Sequence, residues 1–222
     1  MTRQRVTALL MGTAAVLANL AFTALGSVFD YPDVLREPAE QILREFAARQ
    51  RVIMTWFAVL ALSAGLIAPI AVLAGRFTSS SAGVMAVWAG VLAAVVQVIG
   101  LSRWVLIVPG LAARGDTETF ARLHTILGVV VGETLGYLFT ALWTILVLRE
   151  IGRRLAGWWF SWLGLASALL ILLGVFAPLG LPVADIANFI GYVLWSIWLI
   201  AFAVILWRSR RELVVPQAPA GP

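Results

Sequence analysis

Residues 120–148 read FARLHTILGVVVGETLGYLFTALWTILVL. An apolar layer of ~30 Å is crossed by about 20 helical residues, so this stretch can span a membrane and continue beyond it. Glu133 sits in its middle. A charge inside hydrocarbon is costly, and it marks a partner or a function. With 100° between residues of an α-helix, Gly128, Gly132 and Gly136 form a small-residue face that admits a second helix closely. Glu133, Tyr137, Thr140 and Thr144 form a polar face, which must meet protein or water rather than lipid. On the same regular helix His124 points about 180° away from Glu133, which argues against a His124–Glu133 dyad.

The rest of the chain is of the same kind. Of its 222 residues 62% are hydrophobic and 12% charged. A soluble domain is about 45–50% apolar and about 25% charged, so a soluble globular domain is excluded, and so is disorder. Further apolar runs cover residues 6–29, 52–75, 82–113, 156–181 and 186–207. The expectation is an all-α polytopic membrane protein with six transmembrane helices in a single domain over 1–212, followed by a disordered tail over 213–222. The runs 82–113 and 120–148 exceed one span and must tilt, kink or project. Pro109-Gly110 predicts a kink or an early end in the first of them. The run 6–29 is longer than a signal-peptide core and reads as a retained helix.

All 16 basic residues are arginine. Six spans put both termini on one face, together with Arg3, Arg5, Arg76, Arg149, Arg153, Arg154, Arg208, Arg210 and Arg211. Arg36, Arg44, Arg49, Arg51, Arg114 and Arg122 fall on the other. The positive-inside rule then predicts cytoplasmic termini in a cell membrane, with the bilayer itself as the first partner. Trp158, Trp159 and Trp162 read as an interfacial aromatic belt. The arginines form no basic run, which argues against nucleic acid despite the net charge of +5. Residues 33–51 predict an extracytoplasmic amphipathic helix. Pro38 lies in its first turn, and Ala39, Ile42, Leu43, Phe46 and Ile53 form its apolar stripe. Glu40–Arg44 and Glu45–Arg49 are i,i+4 pairs on its wet side. Such a helix either seals the bundle or forms a lid over a pocket.

Several chemistries fall away. The chain has no cysteine and a single histidine, which excludes disulfides, thiolate sites and polyhistidine metal sites. No metal and no cofactor is expected. Ser102, in Gly100-Leu-Ser102-Arg103, lacks a base at its level, so serine hydrolysis is not supported. Arg103 is the second charge inside an apolar run. A hairpin folded about residue 116 brings Arg103 level with about Gly128 and within reach of Glu133, so an intramembrane Arg103–Glu133 ion pair is expected. A short similarity links Glu133-x-x-Gly136-Tyr137, with Trp143, to Asn188-x-x-Gly191-Tyr192, with Trp198. It suggests that the fourth and sixth helices are parallel repeats. The candidate ligand site is therefore Arg103, Glu133, Tyr137, Asn188, Tyr192, Trp195 and His124, with Asn19, Thr23 and Ser27 of the first helix as a further wall.

Taken together, Asp30-Tyr31-Pro32-Asp33-Val34-Leu35-Arg36, Gly100-x-x-Arg103-Trp104 with Pro109, Leu123-His124, Gly132-Glu133-x-x-Gly136-Tyr137 with Trp143, and Asn188-x-x-Gly191-Tyr192-x-x-Trp195 carry a resemblance. The chain resembles a family of bacterial integral membrane proteins known only as a domain of unknown function. The resemblance implies a six-helix bundle in a bacterial inner membrane and no assigned activity or cofactor. Three functional readings stay open. The first is a protein that binds or transports a small amphiphilic or lipid-like molecule in the outer half of the bilayer. The second is an intramembrane enzyme with Glu133 as acid/base. The third is a structural or accessory subunit that uses the Gly128/Gly132/Gly136 face to bind a membrane-protein partner or a second copy of itself.

Overall fold

A computed structural model describes residues 2–77 and 80–209. The expected tail over 213–222 lies outside them, as do Arg210 and Arg211. Every described element is helical. The helices are α1 (Arg3–Phe29), α2 (Ala39–Ala48), α3 (Gln50–Gly65), α4 (Ile67–Gly75), α5 (Ser81–Leu106), α6 (Val108–Arg114), α7 (Thr117–Leu123), α8 (Gly136–Val147), α9 (Arg153–Leu173) and α10 (Pro182–Arg208). Among the described residues five helical runs are long and apolar enough to cross a membrane. The fourth, Thr117–Leu179, turns back on itself at Gly157, which has φ +79°. Leu148 packs at Gly164 and Ser161 at Gly152, so α8 and α9 lie antiparallel.

Each long helix packs on its neighbours in sequence, and α10 closes back on α1 to complete a ring. The breaks have local causes. Pro69 offers no N–H to the carbonyl of Gly65, so the second run divides into α3 and α4 at Leu66. Pro109 likewise offers no N–H to the carbonyl of Val105. The third run therefore ends at Leu106 and resumes as α6, which is the expected kink. Gly115, at φ +63°, ends α6.

Two apolar clusters fill the ring. At the end that holds the termini, where Arg5 lies over Trp207, Trp143, Trp195, Trp198, Phe160 and Phe202 pack together. At the other end Trp104 is the hub. It stacks on Phe57 with 4.8 Å between centroids and meets Phe29, Phe46 and Phe120. Helix α2 contributes Ile42, Leu43 and Phe46 to this second cluster, and it rests on α6 and α7. It therefore caps the bundle. The expected Glu40–Arg44 and Glu45–Arg49 pairs are absent among the described residues. Gln41 instead donates to Glu45, and Arg49 donates to the Val28 carbonyl. Exposed i,i+4 pairs contribute only a few tenths of a kcal/mol, so a backbone acceptor competes easily.

Glycines set the closest approaches. A Cβ on Gly100 would lie 2.5 Å from the Gly132 Cα, so α5 meets the segment before α8 backbone to backbone. Gly132 lies there and Gly136 sits on Gln97, so this glycine face is buried inside the chain's own bundle. Gly100→Ala is expected to destabilise by about 1–3 kcal/mol, as overpacking does. Gly12→Ala, with open space around the new methyl, should be neutral or stabilise by up to about 1 kcal/mol. Unfolding in mixed micelles checks both, and equal effects would contradict this packing.

Candidate functional site

From His124 to Leu135 the backbone widens to π-helical, i→i+5 hydrogen bonding. Long π stretches are rare, and π turns are frequent at functional sites. The widening revises the facing predicted for a regular helix. With roughly 4.4 residues per turn, positions 124 and 133 are about two turns apart and share a face rather than oppose each other. That face looks toward Arg103 on α5.

Arg103 is buried, with 5% of its surface exposed. Its Nη1 donates to the Gly100 carbonyl, and its Nη2 lies 3.4 Å from His124 Nδ1. An arginine can only donate, so Nδ1 is the acceptor and the ring proton belongs on Nε2. The guanidinium carbon is 5.2 Å from the centre of the Trp104 ring. Gly128 makes room for this group, since a Cβ there would come within 2.8 Å of two guanidinium atoms. Among the described residues the Arg103 Nε–H has no hydrogen-bond partner. Phe120 stacks on His124 from behind.

Glu133 is within Coulombic reach of Arg103, but the two form no ion pair among the described residues. The expected direct pair is thus replaced by Arg103–His124 and Arg103–Gly100 contacts, because the π turn brings His124 round to the guanidinium. No hydrogen bond to the Glu133 carboxylate occurs among the described residues.

All three tyrosines of the chain lie within Coulombic reach of Glu133. Tyr137 and Tyr192 have ring centroids 5.8 Å apart, and each is within Coulombic reach of Glu133 and of Tyr31. Tyr31 follows α1, with its ring edge-on to Phe57 at 5.3 Å. Burial raises the Tyr31 hydroxyl above its ordinary range, Glu133 adds to this and Arg103 opposes it. Tyr31 is not among the candidates from sequence. It lies far from Glu133 along the chain, in a loop, and only its place in the Asp30–Arg36 motif could have marked it. Its loop is tied to the start of α10 by Arg36, which bonds Asp185 at 2.7 Å. The five groups lie where the two apolar clusters meet, with Tyr31 packed on one cluster and Tyr137 and Tyr192 on the other.

Other candidates have structural partners. Asn188 donates to the Ile171 carbonyl and joins α10 to α9. Trp195 donates to Thr144, whose hydroxyl donates to the Thr140 carbonyl, and Gln97 donates to the Thr140 hydroxyl. These bonds tie α5, α8 and α10 together. Asn19, Thr23 and Ser27 are exposed, and Asn19 and Ser27 bond their own helix. They form no inner wall. The Ser102 hydroxyl donates to the Ile99 carbonyl. The matched motif members do meet. Tyr137 lies against Tyr192, and Trp143 against Trp198 at 6.0 Å. Gly136 seats α8 on α5, and Gly191 seats α10 on α9.

With this geometry in place, a family model described as "Domain of unknown function (DUF4386)" matches residues 6–203. The chain belongs to the DUF4386 family. No curated protein and no solved structure matches this DUF4386 chain. Its apolar helices support the membrane character of this family member.

The start of α7 fixes where His124 arrives. Asp116 accepts from the Thr119 backbone N–H, and this bond holds the carboxyl below its ordinary range. A folded-state pKa that is depressed contributes stability above the unfolded value, about 3.9, and loses it as pH falls through the folded value. Hydrogen-exchange protection of the Thr119 amide, corrected for intrinsic rate, should therefore drop in acid. Asp116→Asn, which keeps an acceptor oxygen, should flatten that dependence. Identical pH profiles for the two would contradict the cap.

Proposed function

We propose that this DUF4386 protein binds, and in its cellular setting carries, a small amphiphilic molecule with an anionic or carbonyl headgroup at Arg103 and Glu133. One observation carries the reading: a buried guanidinium, with an N–H unpartnered among the described residues, lies within Coulombic reach of a carboxyl that no described side chain pairs, and three phenols lie within Coulombic reach of that carboxyl. Buried charges without full pairing are unstable, so a polar ligand group satisfies what the protein leaves open. Arg103 meets the headgroup, Glu133 exchanges a proton with it, and Tyr31, Tyr137 and Tyr192 offer hydroxyls and ring faces. Asn188 and Trp195 hold the helices that form the walls. The molecule has six spans, counting α8 and α9 separately at Gly157. Both termini are cytoplasmic, by the arginine distribution, which puts α2 and the site toward the outer face.

An intramembrane acid/base enzyme is the second reading, favoured by the shared face of His124 and Glu133 on the π turn. The accessory-subunit reading is weaker, because the glycine face it needs is occupied by α5.

The test is lipid extraction and mass spectrometry of the purified full-length chain, followed by binding of the recovered molecule. Arg103→Ala and Glu133→Gln should each weaken binding about ten-fold or more, as expected for a lost charge-assisted hydrogen bond. A folded Arg103→Ala protein that retains every co-purifying molecule at wild-type level overturns the assignment. Turnover that Glu133→Gln abolishes selects the enzyme reading.

A further inference from the structure

The opposite end of the bundle carries a feature that the Arg103 site does not involve. The chain leaves α8 through a second π turn, Leu148–Gly152, and enters α9. Between them is a cleft of about 490 Å³. Arg149, Arg153 and Arg154 line it together with apolar Ile145, Leu148 and Leu165. Among the described residues Arg149 and Arg154 make no ion pair and no side-chain hydrogen bond. Arg153 lies 3.6 Å over the Trp158 ring. Glu150 also borders the cleft, and it accepts a hydrogen bond from Ser80. The three arginines therefore outnumber the one acid. Trp158, Trp159 and Trp162 stand exposed beside the cleft, each by more than half its surface.

We propose that this cleft is a binding site for the phosphodiester headgroup of an anionic phospholipid. Guanidinium groups recognise phosphate oxygens through paired, charge-assisted hydrogen bonds, and arginines without partners keep those donors available. The apolar lining distinguishes a lipid from a free anion. A soluble phosphate gains nothing from Ile145 and Leu165, whereas a glycerol backbone and the first acyl carbons bury apolar surface there. Exposed indoles next to the cleft sit where headgroups meet hydrocarbon, so a lipid bound here keeps its chains in the bilayer. The positive φ of Gly157 turns the chain so that these tryptophans follow directly on the arginines.

The experiment is native mass spectrometry of the full-length protein in mild detergent, titrated separately with phosphatidylglycerol, phosphatidylcholine and inorganic phosphate. Phosphatidylglycerol should be retained as a discrete adduct in preference to the other two. Arg149→Gln and Arg154→Gln should each weaken it about five-fold, the effect of one basic residue at an anionic surface. Arg208→Gln, at the same end but outside the cleft, should leave it unchanged. Thermal unfolding checks that each variant folds, and one folded cleft variant is enough for the comparison. Unaltered retention in the folded variants overturns the proposal, as does equal retention of phosphatidylcholine or an equal loss in Arg208→Gln. Inorganic phosphate bound as tightly as phosphatidylglycerol overturns the lipid assignment in favour of a soluble anion. Binding at the Arg103 site can fail without affecting any of these outcomes.

Discussion

A guanidinium inside an apolar helix bundle must find acceptors, and the bundle must leave it room. Placing an unpaired charge there costs several kcal/mol, and Arg103 is met at several points at once. The Gly100 carbonyl and the His124 ring accept from it, the Trp104 face lies beside it, and Gly128 withdraws its own bulk. These conditions bind together features that are otherwise unrelated. Backbone contact between Gly100 and Gly132 draws the π segment against α5. The π geometry then turns His124 inward. Trp104 in turn is the ring around which Phe29, Phe46, Phe57 and Phe120 assemble, so the cap formed by α2 rests on the residue adjacent to the charge.

The polar groups lie between two aromatic clusters, and this placement explains how each keeps its character. The cluster near the termini is fixed by hydrogen bonds that run from Trp195 through Thr144 and Thr140 to Gln97. Buried donors and acceptors that are mutually satisfied rigidify a core. In the Arg103–Glu133 region the Arg103 Nε–H has no partner among the described residues, and the indole N–H groups of Trp104, Trp143 and Trp198 are also without one among them. The Trp195–Thr144–Thr140–Gln97 chain joins three helices through satisfied side chains, whereas the guanidinium of Arg103 keeps one donor that no described residue meets. The similarity between the α8 and α10 motifs follows the same division. Its glycines seat each helix on its antiparallel neighbour, and its aromatic residues meet across the centre.

Much of the fold is legible because lipid imposes a simple rule on sequence. Long apolar runs mark helices, Pro109 marks a break, and the apolar stripe of Ala39, Ile42, Leu43 and Phe46 marks a cap. Arg103 and Glu133 stand out because nothing else explains a charge in those runs. The facing of His124 is not legible in this way. A period of 3.6 residues turns it away from Glu133, and no residue in 124–135 by itself dictates i→i+5 bonding. Tyr31 escapes periodicity, since it lies in a loop. Asn188 and Trp195 look like ligand groups because a sequence does not reveal which carbonyl or hydroxyl will receive their protons.

By itself the sequence determined that this DUF4386 chain is all-helical and apolar, that a helix breaks at Pro109, and which two charges need an explanation. Those features depend on composition and local spacing, which the bilayer and the peptide bond read directly. Tertiary structure alone decided that Arg103 turns to His124 and Gly100 rather than pairing with Glu133, and that three tyrosines distant in sequence come within Coulombic reach of Glu133. Such choices depend on distances between helices, and the helices approach only where glycines from different parts of the chain meet.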